Sequence, residues 1–122
     1  MATPKDIDAK NLNTFNIEVG IVDNSLEIFV NPDIGPAGHG KVTFGNAGTF
    51  NNYDTEFSIT DVLNMLKGKG AKSVFLAASA QNFQGPGRIQ FELEVNGSTV
   101  ETVDVNLPTW ESQMWAYNII LA

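Results

Sequence analysis

One stretch decides the fold class of this chain: Arg88-Ile89-Gln90-Phe91-Glu92-Leu93-Glu94-Val95-Asn96-Gly97. Apolar and polar side chains alternate with a period of two up to Val95, which is the pattern of a β-strand with one buried face. Asn96-Gly97 accepts the positive φ angles of a two-residue type I′ turn. A second strand over 98–107 then completes a β-hairpin. The sequence therefore predicts a half-buried antiparallel sheet.

The second strand of this hairpin is out of phase with the first. With a two-residue turn, the apolar side chains of Val103, Val105 and Leu107 fall on the charged face of the sheet. A β-bulge near Glu101–Thr102 would restore the phase, and this is the preferred interpretation. In the alternative, the three side chains form a self-association row that another layer or another subunit covers.

The same kinds of apolar pattern predict more strands on both sides of the hairpin. These strands are expected over residues 15–21, 26–30, 41–44, 73–78 and 114–122. One short helix is expected over about 59–67, capped by Ser58 or Thr60 and ended by Gly68. Seven or eight strands with one helix, and no strand–helix–strand alternation, predict an all-β antiparallel sandwich of immunoglobulin-like or jelly-roll type.

The length of 122 residues is that of a single domain. Residues 1–13 are polar and are expected to form an N-terminal arm, with residues 14–122 forming one β-sandwich domain. The arm either folds back on its own domain or docks on a neighbouring subunit.

The charge balance excludes several classes of function. The chain is acidic, with a net charge of −7, so it lacks the basic stripe that nucleic acids or anionic lipids require. It has no cysteine, so disulfides, thiol catalysis and Cys-based metal sites are excluded. Met1–Asp6 has no apolar core of a signal peptide, and no apolar run approaches the roughly 18 residues of a transmembrane helix. The compartment is left open.

No residue set predicts catalysis, a metal site or a cofactor. His39 is the single histidine, and no Gly-x-Ser-x-Gly motif accompanies it. Glu92, Glu94 and Glu101 are expected on or near the outer face of the hairpin, where charged side chains discourage edge-to-edge pairing. The sequence therefore predicts a protein that is not an enzyme.

A loop rich in asparagine and aromatic residues is the predicted ligand-binding segment. Its residues are Asn46, Phe50, Asn51, Asn52, Tyr53 and Asp54. Sugars are bound by aromatic faces surrounded by amide and carboxylate groups, and such loops on a rigid sandwich commonly carry binding sites. Phe83 and Trp110 are expected either to join this site or to cap the ends of the core. Hard oxygen ligands in the turns leave calcium as an alternative to ordinary turn chemistry.

Two functional hypotheses follow. The leading one is a non-enzymatic β-sandwich that acts as a structural or self-associating subunit of a homo-oligomer, through the N-terminal arm and the row at Val103, Val105 and Leu107. The alternative is a carbohydrate-binding module or lectin that uses the loop around Tyr53, with calcium assistance left open.

Overall fold

A computed structural model of the chain describes residues 3–32, 40–44 and 52–122. These residues form nine strands and one helix. In chain order the elements are β1 (Lys5–Asp8), β2 (Phe15–Val22), β3 (Ser25–Pro32), β4 (Gly40–Phe44), β5 (Asn52–Ser58), α1 (Thr60–Gly68), β6 (Ser73–Gln81), β7 (Arg88–Val95), β8 (Ser98–Asn106) and β9 (Ser112–Ile120).

The strands form two sheets. One sheet has five strands in the order β1-β9-β6-β3-β4, and the other has four in the order β5-β2-β7-β8. The β1–β9 pair is parallel and every other described strand pair is antiparallel. The prediction of an all-β sandwich with one short helix is confirmed. No helix in the described part of the chain combines the length and the apolar character needed to cross a membrane.

One hydrophobic core lies between the two sheets. Val19 and Phe91 face it from the four-stranded sheet, and Leu76 and Ile119 face it from the five-stranded sheet, all almost fully buried. Phe91 also meets Trp115 edge to face, with ring centroids 5.4 Å apart. The period-two alternation of the central strands produces this arrangement, because every second side chain points to the same face.

The hairpin of β7 and β8 contains a β-bulge at Val100. Asn96 and Gly97 have φ angles of 52° and 80° and form the predicted tight turn. Glu94 pairs with Thr99, but the next pair joins Leu93 to Glu101, so Val100 is the extra residue. The prediction of a bulge is confirmed, next to its expected position.

The bulge turns the apolar side chains of β8 inward. Val103 and Leu107 are only 6% and 8% exposed, and Val105 is partly buried against the core. These three residues therefore lie in the core of their own domain. The interpretation of them as an exposed self-association row is corrected, because the bulge restores the phase that the tight turn alone would break.

The polar N-terminal segment folds back on its own domain. Its strand β1 forms the edge of the five-stranded sheet, and Ile7 and Ala9 are buried. The Asn96 side chain at the hairpin turn accepts hydrogen bonds from the backbone N–H groups of Asn13 and Thr14, at 2.6 and 3.1 Å. Of the two arrangements predicted for the arm, this is the intramolecular one.

Helix α1 begins and ends close to the predicted positions. Its first residue, Thr60, donates its backbone N–H to the Ser58 hydroxyl at 3.1 Å, and Leu63 is fully buried. The glycine with left-handed φ after the helix is Gly70, at +100°. Gly68, which was expected just after the last helical residue, is itself the last residue of the helix.

Candidate functional site

The described part of the predicted binding loop does not present an aromatic face. Tyr53 is partly buried and packs against the core. Asp54 is exposed at φ 42°, and Asn52 is the first residue of β5. The other members of the predicted loop, Asn46, Phe50 and Asn51, lie outside the described residues. The single histidine, His39, also lies outside them.

The most exposed large apolar side chain among the described residues is Trp110. Its relative exposure is 80% and its φ is +70°. Trp110 lies in a turn that is closed by a hydrogen bond from the Glu111 N–H to the Pro108 carbonyl, at 3.1 Å. Trp110 is the third residue of this turn, where a type II turn needs positive φ and prefers glycine or asparagine. A bulky residue at this φ is strained.

The turn is held in place by the backbone of Asn82. The Trp110 N–H donates to the Asn82 carbonyl at 2.6 Å, and the Asn82 N–H donates to the Glu111 carbonyl at 3.0 Å. These two hydrogen bonds join Trp110 and the residue after it to the backbone of Asn82. The position of the Trp110 backbone is therefore fixed by its neighbours, while its side chain extends into solvent.

The Asn82 side chain is itself buried, with 1% exposure. Its amide nitrogen donates to the Leu107 carbonyl at 2.8 Å and to the Gly85 carbonyl at 3.0 Å. Its amide oxygen accepts a bond from the Asn24 side chain at 2.7 Å. A Cβ at Gly87 would overlap the Leu107 carbonyl and the Asn82 amide, so a side chain there would displace this network.

Asn24 continues the network into the turn between β2 and β3. It is also 1% exposed, and its φ is +77°. Its amide oxygen accepts the backbone N–H groups of Phe83 and Gln84, at 3.2 and 3.3 Å. Its buried pairing with Asn82 could not be predicted, because the two residues are 58 positions apart.

A shallow pocket of about 140 Å³ lies beside the exposed tryptophan. Phe83, 37% exposed, and Trp110 provide its aromatic surface. The polar side chains are two amides, a hydroxyl and a carboxylate, and the carboxylate of Glu111 carries the charge. The lining residues are Gln81, Asn82, Phe83, Trp110, Glu111 and Ser112. Aromatic surface with a few convergent polar groups is typical of small-ligand sites.

Replacing Trp110 by glycine is expected to give a protein that is more stable than Trp110→Ala by about 1 kcal/mol. Both variants lose the same exposed side chain, but only glycine removes the strain of a Cβ at φ +70°. The free energy of unfolding from urea titrations of the two variants measures the difference. Equal stability of the two, or a more stable alanine variant, would show that the backbone at this position is not strained.

A second polar region lies on the outer face of the four-stranded sheet. Glu18 pairs across the strands with Glu56 on one side and Glu92 on the other. The carboxylate oxygens of Glu18, Glu92 and Glu94 lie within 4.8 Å of one another. Partial burial and these neighbouring carboxylates raise the pKa of Glu18 above its ordinary value. The prediction that Glu92 and Glu94 face outward agrees with this register, but the sequence does not predict that Glu18 joins them.

A groove of about 470 Å³ adjoins these glutamates. Its floor includes Gly20, and the Gln90 side chain lies over that glycine. Arg88 donates two hydrogen bonds to Asp104, at 3.1 and 3.0 Å, and Gln90 donates a third at 3.1 Å. These bonds lower the pKa of Asp104. The Asp104 carboxylate thus has hydrogen-bond donors from both Arg88 and Gln90.

Glu101 faces the interior edge of the sandwich, and its predicted place near the outer face of the hairpin is corrected. It opposes Leu93 across the ladder, and its side chain is 24% exposed and 3.7 Å from the Lys5 ammonium. Burial raises the pKa of the Tyr117 phenol, and the neighbouring Glu101 carboxylate raises it further. The Tyr117 phenol therefore keeps its proton to a higher pH than a solvent-exposed tyrosine does.

The fold and the two polar regions define an all-β sandwich domain with an aromatic pocket at one end. Comparison of the chain with protein-family models, with curated proteins and with solved structures finds no significant match.

Proposed function

We propose that this protein is a non-enzymatic carbohydrate-binding module in which a sugar ring stacks on Trp110 beside Phe83. The observation that carries this proposal is the exposure of Trp110, 80%, at a turn position where its φ is strained. An exposed indole contributes little to the core. Strained residues that persist in a well-supported backbone are concentrated at ligand-binding sites.

The chemistry of the pocket supports a sugar. One face of a pyranose ring presents C–H groups that pack on an aromatic ring, while its hydroxyl groups need hydrogen-bond partners. Trp110 and Phe83 supply the apolar surface, and Gln81, Glu111 and Ser112 supply donors and acceptors around it. The sequence predicted the same combination of groups for the loop around Tyr53, and the proposal places it around Trp110 instead.

The rigidity of the site also supports binding. The turn that carries Trp110 is held to Asn82, whose side chain is buried and makes three hydrogen bonds. The backbone under the indole is already fixed before a ligand binds, and an indole has few rotatable bonds. A preorganised aromatic group therefore gives binding energy at a low entropic cost.

Replacing Trp110 by alanine is expected to weaken glycan binding by about 2 kcal/mol, or about thirtyfold in Kd, which is typical of the loss of an aromatic anchor. A glycan array, with calcium and with a chelator, identifies the ligand, and calorimetry then gives the affinities of both proteins. Trp110→Tyr should keep part of the affinity. Val100→Ala is the matched control, since Val100 is 37% exposed but lies at the hairpin bulge.

No array hit, or equal affinity of Trp110→Ala and the parent protein, would contradict the proposal. The exposed Trp110 also favours a second candidate, the self-associating subunit, because tryptophan is one of the residues enriched at the centres of protein interfaces. In that case the parent protein sediments as an oligomer at micromolar concentration and Trp110→Ala sediments as a monomer. The N-terminal arm and the Val103 row no longer support this candidate, because both lie within their own domain.

A further inference from the structure

We infer that the sugar bound at Trp110 carries a protonated amine, as in a glucosamine residue; this inference rests on the proposed function. The first reason is the pairing of charge and aromatic surface in the pocket. Glu111 is the single charged residue of the described lining, and it is adjacent in sequence to Trp110. A tryptophan face is the best aromatic partner for an ammonium group, and a carboxylate beside it adds a favourable ion pair.

The charge of the whole chain acts in the same direction. The net charge is −7, and the described lining of the pocket contains no lysine or arginine. A negative field concentrates cations near the surface and repels anions. Sugars with carboxylate or sulfate groups are therefore disfavoured at this site, while an ammonium group is attracted by Glu111 and by the chain as a whole.

The size of the pocket makes a single substituent important. Its volume of about 140 Å³ is below the range of about 300–1,000 Å³ that encloses a drug-sized ligand. The site therefore contacts about one ring of a longer glycan. With so few contacts, the group at one carbon of that ring changes the affinity measurably.

The test uses three β-1,4-linked glucose tetrasaccharides that differ only at carbon 2, with a hydroxyl, an acetylated amine or a free amine. Calorimetry at pH 6 and low ionic strength, where the free amine is protonated, compares their affinities for the parent protein. We expect the free amine to bind about tenfold more tightly than the hydroxyl, from one exposed ion pair and one cation–π contact.

The variants separate the charge from the stacking. Glu111→Gln should reduce the tenfold preference to about threefold, which leaves the cation–π contact, and should keep the affinity for the hydroxyl tetrasaccharide. The turn is held by backbone groups of Glu111, so its amide variant should fold. Glu94→Gln removes the same charge at the other polar region and should leave the preference unchanged. High salt should weaken binding of the free amine more than binding of the hydroxyl form.

The outcomes of the two proposals are distinguishable. If glycans bind through Trp110 but the free amine has no advantage, or the acetylated amine binds best, the inference is overturned and the proposed function stands. If no glycan binds and Trp110→Ala changes nothing, the proposed function fails as well. A preference for the free amine that Glu111→Gln does not reduce would also contradict the role given to this carboxylate.

Discussion

Replacing Asn82 by alanine is expected to lower the free energy of unfolding by about 4 kcal/mol. The side chain is 1% exposed and makes three hydrogen bonds: it donates to the Leu107 and Gly85 carbonyls and accepts from Asn24. Alanine leaves the Leu107 and Gly85 carbonyls without this donor and the Asn24 amide without this acceptor, and the lost bonds to Leu107 and Asn24 are buried. Each such group costs about 1–3 kcal/mol. Urea unfolding followed by circular dichroism measures the loss.

Two further variants test whether hydrogen bonding is the cause. Asn82→Asp has the same shape but turns a donor into an acceptor that faces the Leu107 and Gly85 carbonyls, so it should be at least as unstable as the alanine variant. Asn106→Ala removes an exposed asparagine from the end of β8 and should stay within about 0.5 kcal/mol of the parent. A loss below about 1 kcal/mol in Asn82→Ala would mean that the network does not depend on this side chain.

Deleting Val100 and Glu101 together is expected to lower the free energy of unfolding by about 5 kcal/mol, from the lost burial of three apolar side chains. With two residues removed after the turn, Leu93 would oppose Thr102, and every later pair would shift by one position. The side chains of Val103, Val105 and Leu107 would then point outward, because a one-residue slip exchanges the two faces of a strand.

The control is the deletion of Val100 alone. It removes the extra residue of the bulge and leaves the pairs from Leu93–Glu101 onward unchanged. Val100 is 37% exposed, so this variant should stay within about 1 kcal/mol of the parent. Similar losses for the single and the double deletion would contradict the assigned register. Comparing the single deletion with the double deletion thus tests the bulge, because the rest of the chain is the same in both variants.

Local patterns explain how much of the fold could be predicted. The alternation from Ile89 to Val95 and the Asn96-Gly97 turn involve neighbours in the chain, and both are found as predicted. The helix at Thr60–Gly68 follows from the same kind of short-range periodicity. The alternation of apolar side chains also predicted the bulge. Two strands joined by a tight turn must bury the same face of the sheet, and without a bulge the second strand would bury the opposite face.

The candidate site could not be predicted in this way. Tyr53 and Trp110 are both aromatic residues among polar neighbours, but Tyr53 packs against the core and Trp110 is 80% exposed. The sequence left two roles open for Trp110, either a place in the site expected near Tyr53 or a cap on one end of the core. No local signal indicates that Asn82 is buried, since asparagine next to Gly85 and Pro86 is typical of an exposed turn.

The sequence by itself predicted an all-β sandwich with one helix, favoured a bulge in the hairpin, and determined the acidic, cysteine-free composition. The strands, the bulge and the helix depend on residues that are close together in the chain. Only the tertiary structure decided that residues 5–8 pair in parallel with β9, that Asn24 and Asn82 meet in the interior, and that Trp110 stays outside. These features arise from contacts between segments distant in sequence, whose energies depend on burial and hydrogen-bond geometry that no local pattern contains.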